Sequence, residues 1–435
     1  MVVSTMSEIT TYEKTKDSGI EWIGSVPSHW RVHTLYQLVT QVKEKNSNLQ
    51  EKNLLSLSYG KIKRKDIDSP DGLLPASFDG YNIIEDGDIV LRLTDLQNDH
   101  TSLRVGLATE RGIITSAYTT LRPINTSNSK YLYYLLHAFD LKKGFYGMGS
   151  GVRQGLNYAE VKELRMVLPS QDEQDAIASF LDKKCTRIDT IIDEAKVSID
   201  EYKKWKSSVI FHCVTKGIAS GTTYKDSGIA RIGSIPTDWS TIRIKYVVEF
   251  EPSCSKPNIS PESMVSYAPM ECIRTDRRIP RTAPLSNDSS SYSKFNNGDI
   301  ALAKVTPCFE NRNVCIMNNL ENGYAFGSSE LFNIRAIFIN SRFLLYWLQT
   351  DEFISGGVAS MTGVAGLKRV SPTYVKNALI TFPPIAEQER IVAYLDEKCT
   401  NINSLIFEKQ ALIDELEKYK RSLIYEVVTG KRKVV

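Results

Sequence analysis

The chain begins twice, and this constrains its fold more than any other feature. DSGIEWIGSVPSHW, Asp17 to Trp30, and DSGIARIGSIPTDW, Asp226 to Trp239, agree at nine of fourteen positions, 209 residues apart. EDGDIVLRLTD from Glu85 answers NNGDIALAKVT from Asn296, with Gly87 and Gly298 separated by 211. LPSQDEQDAIASFLDKKCTRID from Leu168 answers FPPIAEQERIVAYLDEKCTNIN from Phe382, 214 apart. Block order is kept and the offset drifts little. The chain is therefore two copies of a unit of about 210 residues, too long a period for a solenoid.

With 435 residues, 42% hydrophobic and 24% charged, the chain is long enough for two to four domains with substantial cores. MVVSTMSEITTYEK lacks the basic start and apolar run of a signal peptide, and no apolar stretch approaches the length of a membrane span. A cytoplasmic protein with no membrane contact is expected. Seven cysteines without a paired framework fit a reducing compartment. Cys308 and Cys315 are the closest pair but have no histidine near them, so no metal or cofactor is expected.

Each copy changes character along its length. Asp86-Gly87 and Asn297-Gly298 signal tight turns into strands at Ile89 to Leu93 and Ile300 to Ala303. NSKYLYYLLHAFD from Asn128 and NSRFLLYWLQTDEF from Asn340 predict short buried helices with Asn-Ser caps, and Ser371-Pro372 starts another. Two mixed α/β globules follow, 17–170 and 226–384. They are flanked by an N-terminal extension at 1–16, a linker at 218–225 and a basic tail at 431–435.

After each globule, glycine and proline disappear. Ile188, Ile192, Ala195, Ile199, Tyr202, Val209 and Cys213 recur at helical spacing, as do Ile402, Ile406, Ile413, Leu416, Tyr419, Leu423 and Val427. Long helices over 171–217 and 385–430 are predicted, some 40 residues of each spanning about 60 Å. Two equal stripes can bury each other as an antiparallel coiled coil, with a pseudo-twofold axis relating the copies. The expected fold class is α+β.

The tandem IGSVPSHW and IGSIPTDW, the block GDIALAKVTPCFEN, and the doubled LP/FPP, EQ, LD and KCT pattern resemble the specificity subunit of type I restriction-modification systems. The resemblance covers about Asp17 to Gly430. It implies two target recognition domains, each reading half of a bipartite site on double-stranded DNA, with the helices as spacer between them. It also implies a subunit without catalysis, assembled with methyltransferase subunits and ATP-dependent restriction subunits. The residues agree with that division: there is no GxxxxGK[ST] phosphate loop and no Asp/Asn-Pro-Pro-aromatic motif of an amino-methyltransferase. The five histidines show no metal-like or triad-like spacing.

Net charge is only +3, so DNA contact must rest on local clusters. Lys61, Lys63, Arg64 and Lys65 form one; Arg274, Arg277, Arg278 and Arg281 form another at a comparable place upstream of the second GDI block. Arg92 and Lys304 are read as matching positions on the following strands. Arg153 and Lys368 stand in corresponding glycine-rich stretches, GMGSGVRQGLN and SMTGVAGLKRV, which serve as connecting turns or as backbone approaches to phosphate. On the helices, Trp205, Lys206, Tyr419 and Lys420 exceed what two paired helices need and are candidates for docking partner subunits. From Val39 to Gly80 and from Val248 to Ser291 the copies do not align, as readers of unlike half-sites should not. The rival readings are a structural coiled-coil scaffold, a DNA-binding subunit of another restriction-modification type, and an enzyme whose catalytic constellation the sequence does not display.

Overall fold

A computed structural model describes residues 10–68, 75, 77–96, 99, 103–124, 128–148, 155–364 and 366–434. The fold is α+β. Two helices dominate, Gln171–Lys216 of 46 residues and Ile385–Val428 of 44. The chain divides into two compact units, Met1–Ala195 with Ala411–Val435, and Lys196–Gln410. Each long helix contributes a segment to both.

Unit 1 carries a four-stranded sheet in which Thr119–Pro123 lies between Val39–Gln41 and Ile89–Leu91, with Val105–Leu107 at the far edge. Unit 2 repeats it with Leu331–Ala336 between Val248–Phe250 and Ile300–Ala303, and Val314–Ile316 at the edge. Helix Ser129–Leu141 packs under the first sheet and Ser341–Leu348 under the second. Each is capped by an asparagine side chain: Asn128 accepts from Tyr131 N at 3.0 Å, Asn340 from Arg342 N at 2.9 Å. Helix Pro372–Asn377 begins with proline in its first turn as predicted, although the Ser371 side chain makes no cap bond.

The doubled motifs are joints. Strands Thr15–Asp17 and Ser25–Pro27 form a hairpin, as do Tyr224–Asp226 and Ser234–Pro236. Each hairpin delivers a fully buried tryptophan to the first turn of a long helix: Trp30 Nε1 donates to Glu173 Oε1 at 3.4 Å, Trp239 Nε1 to Glu387 Oε2 at 2.9 Å. The next residue completes the brace. Gln174 accepts from Asn128 N at 2.9 Å and Gln388 from Asn340 N at 2.8 Å, while their amides donate to Pro169 O and Pro383 O. The EQ pair thus ties the helix start to the hairpin and to the short helix.

The aspartate of each GDI block is buried and held by two bonds. Arg122 donates to Asp88 at 2.8 and 2.7 Å, and Arg335 to Asp299 at 2.7 and 2.9 Å. Two parallel charge-assisted bonds offset the desolvation that burying a carboxylate costs. They hold both arginine pKa values above the usual guanidinium value.

The helix ends are doubled as well, a feature that sequence alignment of the globules does not reveal. In unit 2 the end of the first long helix meets the second entry hairpin: Gly217, at φ +79, lies against Trp239, and Lys216 Nζ donates to Ile232 O at 3.1 Å. In unit 1 the end of the second long helix meets the first hairpin. There Gly430, at φ +69, approaches Pro27 and Trp30 so closely that any Cβ would collide. Tyr131 Oη also donates to Val428 O at 3.4 Å.

Helix segments pair inside each unit. In unit 1, Ile188, Ile192, Ala195, Ile413 and Leu423 are buried, and Lys420 Nζ donates to Asp189 at 2.6 and 2.7 Å. In unit 2, Ile199, Cys213, Cys399 and Ile402 are buried and Lys206 Nζ donates to Asn403 at 3.0 Å. Tyr419, read as part of the stripe, is instead 47% exposed, because Lys420 turns inward one position on. No helix among the described residues is long and apolar enough to cross a membrane.

Candidate nucleic-acid interface

The regions where the two copies do not align still build the same strand order, on unlike sequence and with one hairpin added in unit 2. In unit 1, Leu55–Ser58 pairs with Lys61–Arg64, and Leu54 bridges in parallel to Ile113. In unit 2, Met264–Ala268 pairs with Thr282–Pro284 and runs parallel to Tyr324–Gly327. By this pairing the basic strand Lys61–Arg64 corresponds to Thr282–Pro284. Arg274, Arg277 and Arg278 sit on an added hairpin, Ile273–Arg274 with Arg277–Arg278, while Arg281 leads into the Thr282–Pro284 strand, its carbonyl accepting from Tyr267 N at 2.8 Å. The expectation of comparable positions is therefore corrected: three of the four arginines occupy an element that unit 1 lacks among its described residues. The sequence order was similar, but an inserted hairpin is invisible without the ladder.

In the first cluster, Lys61, Lys63, Arg64 and Lys65 are all exposed. Arg64 is committed to Glu110 through Nε at 2.9 and 2.8 Å, which holds the Glu110 carboxyl below the usual carboxylate range. Lys61 stands 3.9 Å from Asp189 of the first long helix. Lys63 and Lys65 make no ion pair among the described residues.

In the second cluster, Arg277 is exposed and makes no ion pair among the described residues. Its neighbours are partly spent on the fold: Arg274 donates to Ile273 O at 3.0 Å, Arg278 to Asn319 O at 3.5 Å and Arg281 to Glu271 at 2.9 Å. The hairpin turn is anchored. Asp276, at φ +62, accepts from Arg342 Nη2 at 2.9 Å, and Arg342 Nε donates to Asp396 of the second long helix at 2.8 Å.

Arg92 and Lys304 are not equivalent. Arg92 N donates to Arg104 O and Ala303 N to Asn313 O, so ladder register sets Arg92 against Ala303. Side chains alternate faces along a strand, so a one-residue slip turns Lys304 the other way. Arg92 lies 3.6 Å from Asp99, and Lys304 lies 5.0 Å from the centre of the Phe332 ring. Lys368 is exposed on a short hairpin, Thr362–Val364 with Leu367–Arg369, so this glycine-rich stretch is a hairpin rather than a plain turn. Arg153 lies outside the described residues. Trp205 and Tyr419 are exposed at 49% and 47%, while Lys206 and Lys420 spend their ammonium groups on the helix segments beside them.

Sequence reasoning missed Arg104, which is fully buried. Its guanidinium donates to the carbonyls of Arg92, Thr94, Asp95 and Asp99 and to Tyr146 Oη, at 2.5 to 3.3 Å. It folds the backbone after the GDI strand around one charge. Nothing in the sequence marks it, since Asn313 takes its place in unit 2.

A chain of two braced α+β units, each with a divergent, cation-bearing β region and a share of two long helices, is a scaffold for presenting two different surfaces. No protein-family model matches it. It is similar to the type I restriction enzyme EcoAI specificity subunit of Escherichia coli, with 36% identity over 167 residues, 36% of this chain and 27% of that protein. The putative type I restriction enzyme MjaX specificity subunit of Methanocaldococcus jannaschii is 25% identical over 330 residues, 72% of this chain and 71% of that protein. The chain spans only about a quarter of the length of its E. coli relative. A solved structure described as the basis of complex assembly and conformational transition of the type I R-M system shares its fold, with TM-score 0.65 and 14% identity over 93% of this chain and 98% of that one. The resemblance carried by the doubled motifs is borne out: the curated relatives that the chain matches are named type I restriction enzyme specificity subunits.

Proposed function

We propose that this chain is the non-catalytic DNA-recognition subunit of a type I restriction-modification complex. Each unit reads one half of a bipartite duplex site through its divergent β region, and the paired long helices set the half-site separation and dock methyltransferase subunits. The observation that carries the reading is the contrast within one chain. Braces such as Trp30 on Glu173 and Trp239 on Glu387 repeat residue for residue, whereas the sequences around Lys61 to Lys65 and Arg274 to Arg281 do not, and unit 2 adds a hairpin there. A scaffold without sequence reading has no reason to vary most there. Antiparallel helix pairing is supported by register: Asp189 meets Lys420 and Lys206 meets Asn403, seventeen residues forward on one helix and seventeen back on the other.

Lys63, Lys65, Arg277 and Lys368 are the cations best placed to reach DNA. Arginine forks suit guanine edges, while lysines suit phosphate. The test is to express the chain with its methyltransferase partners, map methylated motifs, and then change Arg277 to Ala. Loss of about 1 to 3 kcal/mol in binding with relaxed preference in one half-site identifies a base contact, and a lower salt slope identifies a phosphate contact. Methylation of a single continuous motif would overturn the two-reader proposal.

A further inference from the structure

The duplication supplies its own control, because a locus built alike in both units is scaffold and one built differently has been released from that duty. In unit 1, Trp22 of the entry motif packs on Phe139 and Tyr425, with ring centres 5.2 and 6.4 Å apart. Tyr425 Oη donates to Trp22 O at 3.0 Å, and the Lys142 ammonium lies 4.5 Å from the Tyr425 ring. The locus is filled with rings. Alignment of the doubled motifs places Arg231, Asp351 and Phe211 at the same positions in unit 2.

There the locus is open. A cleft of about 620 Å³ is lined by four cations, Lys203, Lys204, Arg231 and Arg312, and two carboxylates, Asp351 and Glu352. Arg312 donates to Asp351 and, at 2.8 Å, to Ser207 Oγ; Arg231 stands 3.7 Å from Glu352. Lys203 leans 3.3 Å toward Asp200, outside the lining, and Lys204 makes no ion pair among the described residues. Guanidinium and ammonium groups only donate, and four of them face two carboxylates that the arginines already pair with, so the lining keeps a net positive charge at its lysines. An anion with several oxygens balances such a wall by charge-assisted bonds. The volume falls within the range of about 300 to 1,000 Å³ that small-molecule sites occupy.

We infer that this cleft of unit 2 binds a phosphate-type anion, a role from which aromatic rings bar the same locus of unit 1. The group belongs to a free polyphosphate or to a nucleic-acid backbone, which present the same oxygens. The inference does not rest on half-site reading.

The experiment is thermal unfolding of the full chain with pyrophosphate at constant ionic strength. Wild type is compared with Arg231→Trp/Asp351→Phe, which installs the aromatic filling that unit 1 already uses, and with Lys204→Glu. Wild type is expected to show a saturable rise in unfolding temperature that the filled variant loses and that Lys204→Glu weakens at least tenfold in apparent affinity. Should the filled variant melt lower without ligand, Lys204→Glu decides. Displacement of pyrophosphate by a short duplex assigns the site to the nucleic-acid backbone; its absence assigns it to a free anion. No saturable response in wild type, or an equal response in both variants, overturns the inference. Mapping of methylated motifs is untouched by either result.

Discussion

Two buried ionisable residues one helical turn apart show how much a single position can hide. His137, stacked on Tyr133 with ring centres 5.6 Å apart, has its pKa pushed from 6.5 to about 4, chiefly by burial and then by Lys420. Asp140, whose carboxylate accepts from Arg104 N at 2.6 Å, is nonetheless pushed from 3.8 to about 6 by burial. The signs oppose. A depressed histidine contributes stability present above pH 6.5 and lost as pH falls toward 4; a raised carboxyl contributes stability present below about pH 4 and lost as pH rises through about 6. Between those limits the two slopes offset each other. Asp140→Asn is therefore expected to make unit 1 lose stability on acidification from pH 6.5 to 4, and His137→Leu to make it gain. Denaturant unfolding at pH 4, 5, 6 and 7 checks both, and parallel pH profiles for the two variants would contradict the assignment. Only the burial of His137 was legible from the apolar helix around it. Arg104 was not, because arginine is read as a surface residue unless a partner is in view, and its partners are backbone carbonyls.

At the scale of elements, the sequence spoke clearly where a local rule applied. Asparagine caps, glycine turns and the two long helices follow from capping chemistry and apolar spacing, and the helix bounds lie close to those expected. It was silent where partners are far apart in the chain. Nothing local shows that the EQ pair is a joint, that Lys304 is out of register with Arg92, or that three of the arginines stand on an inserted hairpin. The joint has a measurable worth. Gln388 is fully buried and bonds to Asn340 N and Pro383 O, both at 2.8 Å. Gln388→Ala leaves a part-buried donor and a buried acceptor without partners and should cost about 2 kcal/mol. Denaturant titration reads the loss, and a change below about 1 kcal/mol would mean that water replaces the amide.

For the whole molecule, the sequence displayed the duplication but not the way each copy is completed. Ala411–Val435, the last segment of the chain, belongs with the first globule, since Gly430 closes on Trp30 as Gly217 closes on Trp239. Each entry motif needs two helix ends, its own helix's start and the other helix's finish, and this explains why the motif occurs twice. If the helices also pair as the proposed spacer, their length fixes the number of unread base pairs between half-sites. Seven residues inserted after Ala195, with seven after Lys409, fall close to the division between the units and preserve the heptad seam. They add about 10 Å, or roughly three base pairs at 3.4 Å each. Both half-sites should keep their own bases, because no brace or divergent strand is touched. Four residues add about 6 Å but shift the seam out of register, so assembly should weaken. Mapping methylated motifs in cells that express each variant with its methyltransferase partners reads the gap directly. An active complex with the longer seam and an unchanged gap would show that the helices dock partners without measuring DNA.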